Sequence, residues 1–150
     1  MAVKLVAQNR KARHDYHILD TWEAGIVLQG TEVKSLREGK VSMRDSHARI
    51  INGELILFHL HIGEYSKGSY ANHEPLRPRK LLLHKREIRK LTGKVEEKGL
   101  TLIPLKIYFN ERGLAKVQIG LARGKKLYDK RKDIAERDVK RDMERSLKQR

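Results

Sequence analysis

Thr101-Leu-Ile-Pro-Leu-Lys-Ile-Tyr-Phe109 and Leu114-Ala-Lys-Val-Gln-Ile-Gly-Leu-Ala122, joined by Asn110-Glu-Arg-Gly113, form the stretch that decides the fold class. Apolar residues recur at every second position in both arms, and a Gly-containing turn lies between them. The spacing predicts a hairpin whose inward faces are Ile103, Leu105, Ile107 and Phe109 on one arm and Ala115, Val117, Ile119 and Leu121 on the other. Lys106 and Tyr108 then fall on the outward face.

The same period appears upstream. Tyr16, Ile18, Trp22, Ala24, Ile26 and Leu28 predict one side of a long strand bent near Asp20 or Gly25. Gly30-Thr31 opens a short helical stretch with Val33 and Leu36 three apart and Gly39 as its stop. Asn52-Gly53 between 48–51 and 54–62 is a strong hairpin signal, and Ile56, Phe58, Leu60 and Ile62 would form the inner face of its second arm. Residues 63–80, with Gly63, Gly68, Pro75 and Pro78, read as a long loop. Over 81–98 the period is helical. His84, Ile88, Leu91 and Val95 share one side, and Arg86, Lys90 and Lys94 the other. Residues 1–15 read as polar and basic, with Arg10, Lys11 and Arg13 clustered.

Several short strands and a few helices in about 120 residues predict a mainly β fold, a small closed OB-like β-barrel with flanking α-helices. The expected domain spans 1–122. Residues 123–150 differ, with cations on every side and a thin apolar stripe of Ile134, Ala135, Val139, Met143 and Leu147. Such a segment buries too little to hold itself on a domain. It is expected to be a basic tail that orders only on a partner.

Lys and Arg number 34 against 19 Asp and Glu, a formal net charge of +15, so the expected partner is a polyanion. Nucleic acid leads, and an anionic membrane surface follows. The tail lacks the Trp, Phe or wide apolar face of a membrane-surface helix, and no apolar run is long enough to span a bilayer. The start of the chain has no signal-peptide pattern. With 0 Cys there is no thiolate zinc site, which suits a reducing cytoplasm.

Chemistry of catalysis finds no footing. The acids are scattered among basic neighbours, no phosphate loop or GxSxG occurs, and no nucleophile has a positioned base. An RNA-processing enzyme is therefore not expected. His59 and His61, with Glu64 near, would share a strand face, but a third ligand is not evident, so neither a metal nor a cofactor is expected. Each basic cluster alone reads as solvated charge, and together they read as phosphate contacts. Tyr16, Tyr65, Tyr70 and Tyr108 are either stacking platforms or half-buried rings. Glu32 either accepts from a base N–H or is a first-turn helix acid. A resident ribosomal or assembly protein of similar charge is the competing reading.

Five separated motifs, in order through nearly the whole chain, are Asn9-Arg-Lys-Ala-Arg-His-Asp-Tyr16, Gly30-Thr-Glu-Val-Lys-Ser-Leu-Arg37, Arg77-Pro-Arg-Lys-Leu-Leu-Leu-His-Lys-Arg-Glu-Ile88, Pro104-Leu-Lys-Ile-Tyr-Phe109 and Gly124-Lys-Lys-Leu-Tyr-Asp-Lys-Arg131. With them the chain resembles the small protein B (SmpB) family, the SsrA-binding proteins of bacteria. The resemblance implies an OB-like barrel that binds the tRNA-like domain of transfer-messenger RNA. It implies delivery, with the elongation factor Tu complex, to ribosomes stalled without a stop codon (trans-translation). The protein stands in for the anticodon half of a tRNA. The tail enters the decoding centre and the empty mRNA channel, becoming helical there. A cytoplasmic monomer is expected.

By motif, the implied RNA contacts are Asn9, Arg10, Arg13, Glu32, Lys34, Ser35, Lys80, His84, Lys85, Arg86, Lys106, Tyr108, Arg123, Gly124, Lys125 and Lys126. The implied decoding-centre contacts are Tyr128, Asp129, Lys130 and Arg131. Many relatives carry His at the position of Tyr128. Tyrosine keeps a stacking role there and gives up any role that needs protonation.

Overall fold

The computed structural model describes residues 3–68, 71–96 and 99–125. In chain order its elements are β1 (Lys4–Gln8), α1 (Arg10–Asp15), β2 (Tyr16–Ile26), α2 (Gly30–Arg37), β3 (Val41–Ser42), β4 (His47–Ile51), β5 (Glu54–Phe58), β6 (His61–Ile62), β7 (Arg79–Leu82), α3 (Lys85–Val95), β8 (Leu100–Phe109) and β9 (Ala115–Gly124). The tail beyond Lys125, Tyr70, and the expected contacts Lys126 and Tyr128–Arg131 lie outside the described residues.

The hairpin of β8 and β9 is the hub. Antiparallel pairing runs β8–β4–β5–β7–β2–β9, and the β8–β9 pairing closes the ring, with β1 added along β8 and β3–β6 a separate small pair. A ring of hydrogen-bonded strands with three helices outside it is the expected mainly β, OB-like architecture. Closure leaves most of the strands without open edges. Leu55, Leu57, Leu81, Leu102, Ile107, Val117 and Ile119 fill its interior, and Leu36 of α2 and Leu91 of α3 are buried in the same core. Each fully buried aliphatic side chain contributes about 1.5–3 kcal/mol.

One departure from simple alternation reorganises this hub. Pro104 pairs with Ile119 and Lys106 with Gln118, so Leu105 is an extra residue in β8. β2 has a matching irregularity, since Ile18 pairs with Ala122 and Asp20 with Leu121. A bulge shifts the side-chain parity by one. Ile103 and Leu105 therefore do not face the main core as expected. With Ala12 and Ala122, and with Tyr16 and Ile18 packed against them, they form a second cluster on the outer side of the ring. Beyond its irregularity β2 stays with the main core, where Trp22, Ala24 and Ile26 pack.

Other expectations are corrected in the same way. The stretch read only as polar and basic, 1–15, holds β1 and α1. Residues 79–82 are a strand rather than loop and helix, and α3 begins only after His84, its N-cap. In the second arm of the Asn52-Gly53 hairpin the buried residues are Leu55 and Leu57, not Ile56 and Phe58. Leu60 and Ile62 are buried as expected, because His59 at φ 59 resets the phase between β5 and β6. His59 and His61 accordingly do not share a strand face. The turn itself has Asn52 at φ 50 and Gly53 at φ 76, the left-handed pair that a two-residue hairpin requires.

Candidate nucleic-acid interface

Cross-strand partners share a face, so the pairings lay out the outer surface of the sheet. One row runs Leu5, Tyr108, Lys116, Gly25 and Leu82 across β1, β8, β9, β2 and β7. The next runs Gln8, Lys106, Gln118 and Glu23. Beyond these rows α1 covers the second apolar cluster, and it presents Arg10, Lys11 and Arg13 to solvent.

Helix α1 is short, and it is held by its cap. The Asn9 side chain accepts from Ala12 N at 3.2 Å, its Nδ2 donates to Pro104 O at 3.1 Å, and its backbone N donates to Leu105 O at 2.7 Å. Asn9, expected as an RNA contact, thus ties the basic helix to the β8 bulge. At the far end of β9, Gly124 pairs with Tyr16 and Arg123 with His17. Lys125 Nζ donates to Arg13 O at 3.2 Å. The strand continues two residues past Ala122, and its end joins α1 as one cationic corner.

Tyr108 is only 9% exposed. Its hydroxyl donates to Glu23 Oε2, and Lys106 Nζ lies 5.5 Å from the ring centroid. Burial, then the Glu23 carboxylate, push its phenol above the usual tyrosine range. Tyr108 is therefore a support for Lys106 and Glu23 rather than a free stacking platform.

At β7 and the start of α3, Lys80, His84, Lys85 and Arg86 are exposed. Lys80 Nζ reaches Glu54 Oε1 at 3.3 Å. Lys94, on the opposite turn of α3, sits 3.9 Å from Asp20 Oδ2 and 5.6 Å from the Trp22 ring centroid, fastening the helix to β2.

Helix α2 differs. Glu32 is 0% exposed. Arg77 Nη2 donates to its Oε1 at 2.5 Å, Arg79 Nε donates to its Oε2, and Gln29 N donates to Oε1 at 2.7 Å. Arg79, also fully buried, donates through Nη1 to Leu60 O at 2.5 Å and through Nη2 to Pro75 O at 3.1 Å. Burial alone would raise the Glu32 pKa, but the bonds from Arg77, Gln29 and Arg79 hold it below the usual carboxylate value. Glu32, expected at the RNA surface, is instead an internal clamp. Ser35 is likewise fully buried. His73 completes the anchorage: Nε2 donates to Ile62 O at 2.8 Å, leaving Nδ1 to accept from the Thr31 hydroxyl at 2.8 Å. Lys34 is exposed, 5.4 Å from the Tyr65 ring centroid, and no strand pairing brings it into the outer rows.

The structure thus gathers Arg10, Arg13, Lys106, Gly124 and Lys125 around one outer face, with Lys80 and His84–Arg86 along its β7 edge; Arg123, exposed at the end of β9, alternates with Ala122 and shares its side with Leu100 instead. Lys116, Glu23 and Leu82 join that face without having been anticipated. Strand register reveals them, and only the outward parity of Lys116 beside Val117 hinted at it. A surface of this kind neutralises phosphates along a folded polyanion.

A family model described as SmpB protein matches residues 6–149. An SsrA-binding protein of Moorella thermoacetica is 63% identical over 148 residues, 99% of this chain and 96% of that one. One of Pelotomaculum thermopropionicum is 60% identical over 150 residues, 100% of this chain and 97% of that one. Among solved structures, a chain described under "tmRNA-SmpB: a journey to the center of the bacterial ribosome" is similar with a TM-score of 0.68 and 69% identity, covering 79% of this chain and 83% of that one.

Proposed function

The chain belongs to the SmpB family, and from that premise we propose that it is a non-catalytic adaptor whose barrel grips one folded RNA while its tail engages the ribosome. It binds the tRNA-like domain of transfer-messenger (SsrA) RNA and brings it to stalled ribosomes in trans-translation. The observation that carries the site assignment is the convergence of α1, β8, the end of β9 and the β7–α3 junction on one outer face. Arg10, Arg13, Lys106 and Lys125 contact phosphates there, with Lys80, Lys85 and Arg86 at the edge and Arg123 reaching the RNA from the exposed end of β9. Asn9, Glu32 and Tyr108 act by holding the elements that carry them, and Ser35 is buried in α2 away from the RNA.

Residues 126–150 form the ribosome-reading part, with Tyr128, Asp129, Lys130 and Arg131 at the decoding centre. The protein works in the cytoplasm and turns over no substrate. No described helix is long and apolar enough to cross a membrane. Truncation after Lys125, which keeps the β9 pairing and the Lys125–Arg13 bond, tests this division. Affinity for the tRNA-like RNA stays within a few fold, and peptide tagging in a reconstituted translation system is lost. Tagging that survives the truncation contradicts the model.

A further inference from the structure

Resting on the RNA-binding reading above, we propose that the cleft between the outer sheet face and the start of α3 receives one unstacked guanine base of the bound RNA. The cleft has a volume of about 420 Å3, and Glu23, Gly25, Leu82, His84, Glu87 and Lys116 line it. It opens on the same face as Lys106 and Tyr108, because Lys116 is directly opposite both Tyr108 and Gly25.

Carboxylates repel phosphates, and a surface built only to neutralise a backbone has no use for two of them. Glu23 is held by the Tyr108 hydroxyl. Glu87 is half-buried, and its carboxylate has no hydrogen-bond or ion-pair partner among the described residues. The helix dipole favours an acid in the first turn of α3. It does not account for a second carboxylate from β2 in the same cleft, nor for the floor between them. That floor includes Leu82, an aliphatic side chain left 50% exposed beside a glycine in a strongly cationic protein.

These parts match one chemistry. An ionised carboxylate only accepts hydrogen bonds. Guanine is the base whose Watson–Crick edge offers two adjacent donors, N1–H and the 2-amino group. Adenine and cytosine offer one amine beside a ring nitrogen that a carboxylate repels, and uracil offers one N–H between two carbonyls. The Glu87 carboxylate accepts both guanine donors. Leu82 and Gly25 give the base a flat apolar seat, the His84 ring stands at the rim, and Lys116 supplies the cation for the attached phosphate.

The test uses the full chain and the tRNA-like RNA with each unpaired guanosine replaced singly by inosine, which lacks the 2-amino group. Affinities are measured for the unmodified protein and for Glu87→Gln. At one position inosine weakens binding by about tenfold. In E87Q the unmodified RNA binds about tenfold more weakly, and the inosine penalty at that position disappears. A merely structural Glu87 lowers affinity for both RNAs alike and leaves the penalty intact, which overturns the proposal. So does the absence of any inosine penalty in the unmodified protein, whatever the stability of E87Q. Preference of the unmodified protein for the tRNA-like RNA over an unstructured RNA, read in the same assay, separates the two levels. Its loss overturns the RNA-binding reading itself, and its persistence without an inosine penalty overturns the guanine subsite alone.

Discussion

Glu32 shows how far a single residue's position can redirect its role. Its two oxygens are shared between Arg77 and Arg79, and Arg79 spans onward to the carbonyls of Leu60 and Pro75, so one carboxylate joins α2, the segment before β6 and the segment before β7. Removing one member of a buried pair leaves an uncompensated charge. Glu32→Gln therefore lowers unfolding free energy by about 3–5 kcal/mol, measured by denaturant titration. The pH dependence follows from the depressed pKa of Glu32. The stabilisation is complete above the ordinary carboxylate value and is lost as pH falls through the lower folded value. The gap between the two proteins is thus constant near neutrality and narrows only in acid; a gap that widened in acid would contradict the assignment. Tyr108 gives a second prediction at this scale. Its phenol is pushed above the usual range, so ultraviolet titration shows a late-ionising phase that Tyr108→Phe removes.

Among the elements, the β8 bulge does most to shape the interface. Leu105, the extra residue, lies over Gly120 so closely that a Cβ there would stand 2.9 Å from Leu105 Cδ1 and 3.3 Å from Ile18 Cγ2. Gly120→Ala overpacks this spot and costs about 1–3 kcal/mol. Asn9→Ala removes the cap of α1 and its tie to Pro104, costing about 1–2 kcal/mol. Because Arg10 and Arg13 ride on that helix, the same change weakens RNA binding without removing a charge, which calorimetric unfolding and an affinity measurement together establish. The β8–β9 hairpin, α2 and the Asn52-Gly53 turn were legible because alternation, a glycine stop and a turn dipeptide are local signals. The bulge was not. Leu102, Ile103, Leu105 and Ile107 are apolar on both parities, and only the covering by α1 explains why the outer face is greasy there. Strand β7 hid in Leu81-Leu82-Leu83, a run too short and uniform to separate strand from helix. The basic contacts were readable as types, but which of them share a face depended on register.

For the whole molecule, the charge of +15 makes some affinity for any polyanion unavoidable, and that part is screened by salt. What the fold adds is a rigid arrangement: a closed ring fixes the rows of β1, β8, β9, β2 and β7 relative to α1. Charge alone treats folded and unfolded RNA alike, whereas a fixed outline rewards one shape. Affinities for the isolated tRNA-like domain, an elongator tRNA and an unstructured RNA of equal length, followed through a salt series, test this most directly. All three bind at low salt, and the tRNA-like domain alone is retained at physiological ionic strength and above. If the unstructured RNA binds as tightly as the tRNA-like domain at physiological salt, recognition by a preformed surface is contradicted.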